Sequence, residues 1–516
     1  MVAKLEKLIF EYSREGRTSF DLAPAHVPDS VNGSNYPQSM LREGAEGLPK
    51  LPQVSENELI RHFTNLSRLN YSVDVGFYPL GSCTMKYNPK INERMASLDG
   101  VAGVHPLLPD KHCQGMLEII YNMEKFLSEL LGMKRVTMQP LAGAHGELTG
   151  IMMIKKYHES RGETRTKVVV PDSSHGTNPA TAAMCGLEIV SIKSDANGFV
   201  DLELLQSVMD EGVAAFMLTN PNTLGLFDPN IRKIAEIVHK AGALLYYDGA
   251  NLNAIMGIAR PGDMGFDVTH VNLHKTFSTP HGGGGPGSGP VGVSERLVKF
   301  LPEPLVEYDQ ANNKYYFKGE STDSIGKVAA FYGNFGILVR AYVYILSMGG
   351  RGLTECSKNA VLNANYLMEK LKKYYDLKYD RTCMHEFVLS ADNLAQYGIS
   401  ALDVAKRLLD LGYHAPTIYF PLIVHEALMI EPTETECKER LDEFVETMIK
   451  IAEEAKTNPE ILKNSPQFTP VNRLDETRAA RMPILRCCAC EGCPAPVTKE
   501  EKAPKSEATS KRKSAS

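Results

Sequence analysis

Short apolar runs alternate with helical segments between residues 168 and 293, and this alternation restricts the folds that the chain can adopt. The runs are rich in β-branched residues, whereas the segments between them repeat apolar residues with helical spacing. Strands that alternate with helices are typical of an α/β fold with a mainly parallel sheet covered on both faces. Ligands bind such a sheet at the carboxyl ends of its strands. The predicted strands are Val168–Val170, Leu187–Ile192, Val213–Leu218, Ala243–Tyr247, Val268–Leu273 and Pro290–Val293.

The composition changes along the chain and predicts a division into domains. The first part is rich in Pro, Gly, Ser and Asn, and a broad apolar helical stripe at 116–131 marks the beginning of the packed chain. The last part has no apolar face, which is typical of disorder. The predicted parts are an N-terminal arm (1–110), a large α/β domain (111–328), a smaller α+β C-terminal domain (329–460), a C-terminal extension with a cysteine cluster (461–497) and a disordered tail (498–516).

The charge and the apolar content exclude several classes of protein. The 516 residues include 56 basic and 62 acidic side chains, so the net charge of −6 provides no positive field for nucleic acid or for an anionic membrane. No apolar run approaches the ~20 residues of a membrane-spanning helix, and the amphipathic N-terminus is unlike a signal peptide. Most cysteines are scattered without the spacing of a disulfide framework. These features predict a cytoplasmic enzyme with reduced thiols.

The segment Gly287–Gly292 formally matches the dinucleotide fingerprint G-x-G-x-x-G. That fingerprint binds a dinucleotide where it joins a strand to a helix whose N-terminus meets the pyrophosphate. Here the glycines lead into a predicted strand instead. We therefore expect no nicotinamide or flavin site.

A lysine and an aspartate lie at the ends of two predicted strands. Lys275 follows the run Val268–Leu273, and desolvation at such a place lowers the pKa of a lysine toward that of a nucleophilic free amine, as a Schiff-base lysine requires. Considered alone, a lysine at such a place is far more often an exposed loop residue. Asp248 ends the run Ala243–Tyr247, where an isolated charge is unfavourable unless it faces a cation such as a protonated pyridine nitrogen.

Two upstream segments add to this pair. Leu141–Glu147 has small residues at the beginning of a helical stretch, where backbone N–H groups can surround a phosphate. His175 lies in a loop after a predicted strand and offers a flat ring that can stack on another ring. Each feature is weak alone. Together, and in this order, they predict a site for a phosphorylated pyridine cofactor.

Several motifs make the chain similar to a known group of enzymes. They are Tyr78–Pro89, Gln139–Glu147, Asp172–Pro179, Asp248–Asn251, Asn272–Phe277 and Ile430–Glu434. On these motifs the chain resembles the aspartate-aminotransferase superfamily of pyridoxal-5′-phosphate (PLP) enzymes, fold type I, and within it the glycine dehydrogenase (decarboxylating) family, the P-protein of the glycine cleavage system. The length is similar to that of subunit 2, the cofactor-bearing half of the two-subunit form. The resemblance implies a fold type I transferase fold, with a mainly parallel seven-stranded sheet in the large domain and a smaller α+β domain.

The resemblance also implies roles for individual residues. The family lysine that matches Lys275 holds PLP as a Schiff base, the acid that matches Asp248 pairs with the pyridine nitrogen, and the ring that matches His175 stacks on the cofactor. These three are the implied catalytic residues. By analogy with the superfamily, the other cofactor-binding residues are Gly143, Ala144, His145, Asn251, Asn272 and His274.

The implied activity is that of glycine dehydrogenase (aminomethyl-transferring). Glycine is decarboxylated and its aminomethyl group passes to the lipoyl arm of H-protein, which makes the enzyme a PLP-dependent oxidoreductase without NAD or flavin. The implied partners are lipoylated H-protein and P-protein subunit 1, in an α2β2 heterotetramer. The alternatives are another fold type I enzyme, such as a cysteine desulfurase or an amino-acid decarboxylase, and a scaffold subunit without cofactor.

The role of the N-terminal motif stays open between two interpretations. Ser82, Cys83 and Thr84 either line the substrate pocket from the arm or form a structural turn. We expect no catalytic nucleophile at Cys83, because the spacing indicates no His or Asn partner.

A second open feature is a cysteine cluster near the C-terminus. Its overlapping C-x-x-C spacings suit zinc or an iron–sulfur cluster, but a single short run of chain is unfavourable for surrounding one ion. We expect thiols there rather than a metal site. The cluster consists of Cys487, Cys488, Cys490 and Cys493.

Overall fold

The computed structural model of the chain describes residues 6–18, 51–319 and 321–483. The chain divides into two compact units, one formed by 1–70 with 470–516 and the other by 71–469. Within the described ranges, no helix combines the length and the apolar character needed to cross a membrane. The domain boundaries predicted from composition stay predictions.

The large sheet lies in the second unit and has seven strands in the order β1-β7-β6-β5-β4-β2-β3. The pairs from β3 through β6 are parallel, whereas β7 is antiparallel to both of its neighbours. The predicted mainly parallel α/β fold is confirmed. The strands are β1 (Arg135–Thr137), β2 (Lys167–Pro171), β3 (Glu188–Ile192), β4 (Val213–Thr219), β5 (Leu244–Gly249), β6 (Val268–Val271) and β7 (Val291–Val293).

Helices of the second unit cover this sheet, and helices form most of the remaining regular secondary structure of the described residues. The first and the last of them belong to the first unit and the others to the second. They are α1 (Glu56–Ser67), α2 (Lys90–Ala96), α3 (Asp99–Ala102), α4 (Gln114–Leu131), α5 (Gly143–Ser160), α6 (Thr177–Met184), α7 (Leu202–Val208), α8 (Ile231–Lys240), α9 (Pro261–Met264), α10 (Phe335–Leu371), α11 (Ala401–Asp410), α12 (Lys438–Thr457), α13 (Pro459–Lys463) and α14 (Glu476–Arg481).

The sheet is buried on both faces because successive residues of its strands enter different apolar clusters. In β5, Tyr246 packs in one cluster and Tyr247 in the other, and both rings are fully buried. A strand with helices on both faces requires such a continuous apolar run. This burial explains why the central strands are visible in the sequence.

A smaller antiparallel sheet follows in the same unit. Its strands are β10 (Phe387–Ser390), β11 (Thr417–Ile418) and β12 (Ala427–Ile430), in the order β10-β12-β11, and a separate hairpin is formed by β8 (Leu305–Asp309) and β9 (Lys314–Lys318). Phe387 lies opposite Ile430 in the register of the small sheet. Apolar residues of α10, α11 and α12 cover this sheet, and Leu367, Leu408 and Phe444 have almost no exposed surface. The predicted α+β character of this part is confirmed.

The sequence pattern predicts two helices over 331–348 and 358–373, and the structure joins them into α10. The helix is interrupted at Gly349, where φ is 60° and ψ is 174°. A positive φ is accessible to glycine without the steric cost that a Cβ atom brings. The helical spacing of the flanking apolar residues predicts both halves, but it does not show how short the break is.

Replacing Gly225 with alanine is expected to reduce the free energy of unfolding by at least ~2 kcal/mol. A Cβ at Gly225 would lie 1.8 Å from the backbone oxygen of Glu386, and φ is +75°. Gly326→Ala is the matched control, because φ is +80° there and a Cβ meets nothing within 4 Å. Urea unfolding of both variants measures the difference. Equal losses in the two variants would contradict the proposed clash.

Candidate functional site

A cavity of about 200 Å³ opens beside the carboxyl ends of β5 and β6. This is the edge of the sheet at which the α/β pattern predicts a ligand. Most of the residues predicted for the site line the cavity, although they come from distant segments of the chain. These are Ser82, Gly143, Ala144, His175, Asp248, Asn251, Asn272, His274 and Lys275.

Lys275 lies in a turn rather than on a strand. The predicted strand ends at Leu273, but β6 ends at Val271, and the backbone N–H groups of Lys275 and Thr276 donate to the carbonyl of Asn272. The lysine is half-buried, and its Nζ donates to the carbonyl oxygen of Ser82 at 2.8 Å. The amine therefore lies at the cavity, between the large sheet and the N-terminal motif.

Asp248 ends β5 and is almost completely buried. Its Oδ2 accepts a hydrogen bond from Asn178 Nδ2 at 3.0 Å, and His270 Nε2 lies 3.3 Å from Oδ1. Desolvation would raise the pKa of Asp248, but His270, Asn178 and the N–H of Ala250 hold it below its usual value. The cavity therefore contains a buried carboxylate.

His270 is neutral beside this carboxylate. Desolvation lowers its pKa, although the charge of Asp248 opposes the shift. Its Nδ1 lies 2.8 Å from the hydroxyl of Tyr246. Because a carboxylate only accepts, the ring proton belongs on Nε2, and Tyr246 donates to Nδ1. Tyr246 thus orients His270, and His270 in turn orients the carboxylate of Asp248.

Glu147 is a buried carboxyl that the sequence-based site prediction missed. Asn178 Nδ2 donates to both Glu147 and Asp248 at 3.0 Å, so the two acids share one amide. Desolvation and the charge of Asp248 raise the pKa of Glu147 to about 8. At neutral pH, Glu147 is therefore a protonated neighbour of a charged aspartate. Glu147 is part of the motif Gln139–Glu147, and its place in this motif is the sequence signal that could have identified it as a site residue.

His175 lies in the loop between β2 and α6 and faces the cavity. Its Nδ1 lies 2.8 Å from the hydroxyl of Thr177, and its ring meets that of Phe420 edge-on at 5.8 Å between centroids. Desolvation by the surrounding residues lowers the pKa of His175. The ring is therefore neutral at neutral pH and held at one edge, as a stacking role requires.

The N-terminus of α5 forms another wall of the cavity. The helix begins at Gly143, where a Cβ would lie 2.7 Å from the side chain of Asn272. Asn272 Oδ1 and Thr219 Oγ1 are buried at the cavity without a hydrogen-bond partner among the described residues. Free N–H groups at a helix N-terminus bind anions. The wall thus offers backbone donors and unused polar atoms to a ligand.

Three predicted residues lie outside the cavity lining. The ring of His145 turns back to accept the N–H of Leu141 at 3.2 Å, and Thr84 is buried with its hydroxyl on Glu431. Cys83 is also buried, and desolvation raises the pKa of its thiol to about 11. The position of Ser82 favours pocket lining, whereas those of Cys83 and Thr84 favour a structural turn. Cys487, Cys488, Cys490 and Cys493 lie outside the described residues.

We expect Cys83 to resist alkylation by iodoacetamide at neutral pH in the folded protein. Its thiol is buried and protonated, and only the thiolate is an effective nucleophile. Cys437 is exposed and provides an internal control. Peptide mass spectrometry after a short exposure measures both positions. Equal labelling of the two cysteines would show that Cys83 is accessible or activated.

Two family models match most of the chain. Residues 16–317 match the model described as glycine cleavage system P-protein. The chain belongs to this family. Residues 356–467 match a second model, described as glycine dehydrogenase, C-terminal domain. The resemblance inferred from the motifs is confirmed.

Curated relatives extend the match over nearly the whole chain. A protein from Caldanaerobacter subterraneus, named probable glycine dehydrogenase (decarboxylating) subunit 2, is 59% identical over 487 residues, which are 94% of this chain and 99% of the relative. A protein of the same name from Bacillus cytotoxicus is 58% identical and covers 93% of this chain and 97% of the relative. The family and the subunit type of these relatives agree with the prediction.

Solved structures support the fold at much lower sequence identity. A glycine decarboxylase (P-protein) of the glycine cleavage system, in inhibitor-bound form, has a TM-score of 0.68 at 19% identity and covers 84% of this chain and all of its own. The glutamate decarboxylase of Lactobacillus brevis has a TM-score of 0.61 at 14% identity, covering 80% of this chain and 96% of its own. The fold type I architecture is confirmed.

Proposed function

We propose that this chain is the PLP-bearing subunit of a glycine decarboxylase, which removes CO2 from glycine and transfers the aminomethyl group to the lipoyl arm of H-protein. The observation that carries the proposal is the meeting of Lys275 and buried Asp248 at one cavity in a chain of the P-protein family. The relatives named glycine dehydrogenase (decarboxylating) subunit 2 support the same activity.

The residues of the cavity fit PLP. The N-terminus of α5 and the neutral ring of His274 suit a phosphate, and Asn272 Oδ1 and Thr219 Oγ1 are buried polar atoms without partners among the described residues. Desolvation, together with the charge of Lys275, lowers the pKa of His274 to about 3, so this ring donates from one nitrogen without adding charge. Bound PLP supplies an electron sink for the electrons released when the carboxyl group leaves.

Each predicted catalytic residue has a distinct task in this proposal. Lys275 attaches the cofactor through its amine and receives or returns a proton there. Asp248 supports a positive charge on the pyridine nitrogen, and His175 restrains the cofactor ring from one face. Asn251 is already held by the protein, since its Nδ2 donates to Pro221 and Glu386. Its Oδ1 has no hydrogen-bond partner among the described residues, so this atom is the one left for the role at the cofactor that the resemblance implies.

We propose further that the active enzyme contains P-protein subunit 1, with two copies of each subunit, and that it works in the cytoplasm. The name of the relatives, subunit 2, supports a second type of subunit. Co-expression of this chain with a candidate subunit 1, followed by mass measurement of the intact complex, tests the partner and the stoichiometry. Recovery of this chain alone, fully active, would contradict the heterotetramer.

Exchange of labelled CO2 into the carboxyl group of glycine tests the activity. We expect exchange that requires PLP, the partner subunit and lipoylated H-protein. H-protein without its lipoyl group is the matched control, and L-cysteine and L-glutamate replace glycine to test a desulfurase and another amino-acid decarboxylase. Sulfide release from cysteine, decarboxylation of glutamate, or a purified protein that binds no PLP would each overturn the proposal.

A further inference from the structure

Three ionisable side chains are buried together behind the wall of the cavity. His385 and Glu386 precede β10 and Glu431 follows β12, so the pairing of these strands brings the three side chains together. None of them has exposed surface, and one ligand atom of each lies within 4.8 Å of the others. The proposed reaction has so far used none of the three.

Of the two carboxyls, Glu386 is better placed to hold a negative charge. Its Oε2 accepts the backbone N–H of Ser82 at 2.6 Å, and its Oε1 accepts Asn251 Nδ2 at 3.2 Å. Glu431 Oε1 meets the hydroxyl of Thr84, while Oε2 has no partner within the described chain. An N–H only donates and therefore favours an ionised acceptor, whereas a hydroxyl can also accept from a protonated carboxyl. The charge thus belongs on Glu386 and the proton on Glu431.

Burial shifts the titration of the two carboxyls in the same direction but unequally. Desolvation raises the pKa of Glu386 to about 7, against the opposing effects of Ser82 and Lys275. Desolvation and the charge of Glu386 raise the pKa of Glu431 well above its usual value. Above neutral pH the pair therefore retains one proton.

The charge of the pair is compensated by a lysine rather than by the histidine beside it. Desolvation lowers the pKa of His385 to about 3, so its ring is neutral, and both of its nitrogens lack partners among the residues described. The positive charge of Lys275 acts on both carboxyls. The titratable groups that face the pair are His385, Lys275, Cys83, Cys383 and Glu434.

Ser82 connects Glu386 to Lys275. Its N–H donates to Glu386 Oε2, and its carbonyl oxygen accepts Lys275 Nζ at 2.8 Å. The φ of Ser82 is 60°, a left-handed conformation that a serine adopts only when its surroundings hold it there. An ionised Glu386 therefore acts on Lys275 in two ways. It fixes the backbone of Ser82, whose carbonyl oxygen accepts the Lys275 amine. Its negative charge also favours the protonated form of that amine.

We propose that Glu386 and Glu431 form a carboxylate–carboxylic acid pair, in which charged Glu386 is a positioning residue for Lys275. The inference deepens the same site and rests on the proposed role of Lys275. A divalent metal ion is the competing explanation for two buried carboxyls beside a histidine. However, the oxygen of each carboxyl that faces His385, 3.9 Å from Nε2, is already engaged in a hydrogen bond, and the charge of Lys275 repels a cation. A proton, rather than a metal, completes the pair.

The variants Glu386→Gln and Glu431→Gln form a matched test, because both are isosteric and only the first removes a charge. The readout is the pH at which the Lys275 amine of the full-length, PLP-free chain reacts half-maximally with an acylating reagent, followed by peptide mass spectrometry. We expect this midpoint to fall by about one pH unit in E386Q, since the negative charge that favours the protonated amine is lost. In E431Q we expect a shift of no more than a few tenths of a unit.

Infrared spectroscopy locates the proton directly. Above the pKa of Glu147, about 8, we expect the carbonyl stretch of a buried protonated carboxyl in the unmodified protein and in E386Q. We expect the band to be absent from E431Q, because Glu386 is ionised at this pH. Circular dichroism shows whether each variant folds. If one does not, the unmodified protein still tests the pair, because its infrared band should disappear when the protein is unfolded at the same pH.

Each contrary outcome overturns the assignment. Equal shifts of the Lys275 midpoint in both variants would mean that both acids are charged, and no shift in either would mean that neither acid carries a charge that acts on Lys275. Stoichiometric divalent metal that is lost in E431Q would establish a metal site instead. Failure of the proposed function is a separate result, because it removes glycine-dependent exchange without altering the Lys275 midpoint or the infrared band.

Discussion

Replacing Lys275 with alanine is expected to reduce glycine-dependent CO2 exchange by at least about 10³-fold and to remove the borohydride-reducible absorbance of bound PLP. The amine of Lys275 lies at the cavity that contains Asp248, and alanine has no nucleophile with which to attach the cofactor. The measurements are the absorbance of the purified protein with added PLP and the exchange rate of the assembled enzyme.

Lys275→Arg is the matched control for this experiment. Arginine retains a positive charge and a donor for the carbonyl of Ser82, but it has no primary amine. We expect the same loss of reducible absorbance and of exchange, with less loss of stability than in the alanine variant. A reducible absorbance that persists in either variant would show that another lysine holds the cofactor.

Asp248→Asn is expected to lower the rate of exchange by about 10²–10³-fold, while PLP remains covalently attached. Asparagine is close in size to aspartate but lacks the negative charge that supports a protonated pyridine nitrogen. Because the pKa of Asp248 lies below its usual value, the native side chain is already ionised at neutral pH. The deficit of the variant should therefore persist when the pH is raised. The pH profile of the exchange rate measures the size of the deficit and shows whether it persists at high pH.

Glu147→Gln separates the charge of Asp248 from the hydrogen-bond network that surrounds it. Glu147 accepts from the same Asn178 amide as Asp248, but burial raises its pKa to about 8, so glutamine replaces a side chain that is mostly neutral at pH 7. We expect a loss of less than about tenfold in the exchange rate. A loss as large as that of Asp248→Asn would contradict this assignment and place the functional charge on Glu147.

The parts of the fold that the sequence predicts are those with a simple burial pattern. Strands β2, β4 and β5 are visible in the sequence because they are buried on both faces of the sheet, so most of their residues are apolar. Edge strand β1 and hairpin strand β9 are not predicted. Residues in β9 alternate between exposed and half-buried positions, and β1 has only three residues. Short or half-exposed strands lack the long apolar run that separates a strand from a loop.

The predictable part of the site consists of groups that interrupt an apolar pattern. Asp248 and Lys275 are conspicuous because each follows a buried strand. Glu386 and Glu431 interrupt an apolar pattern in the same way, since they adjoin the apolar strands β10 and β12. Their proximity to each other, however, depends on the register that places Phe387 opposite Ile430. A pairing between residues so far apart in the chain is not encoded in local periodicity.

The sequence by itself determined the α/β class, the family and the residue types available for chemistry, because strand burial and catalytic motifs leave local patterns. Only the tertiary structure decided which of those groups meet and which of them carry charge. Asn178 joins Glu147 to Asp248, and Ser82 joins Glu386 to Lys275, across long stretches of chain. The ionisation of a buried carboxyl depends on its desolvation and on the donors that face it, and both are properties of the folded neighbourhood.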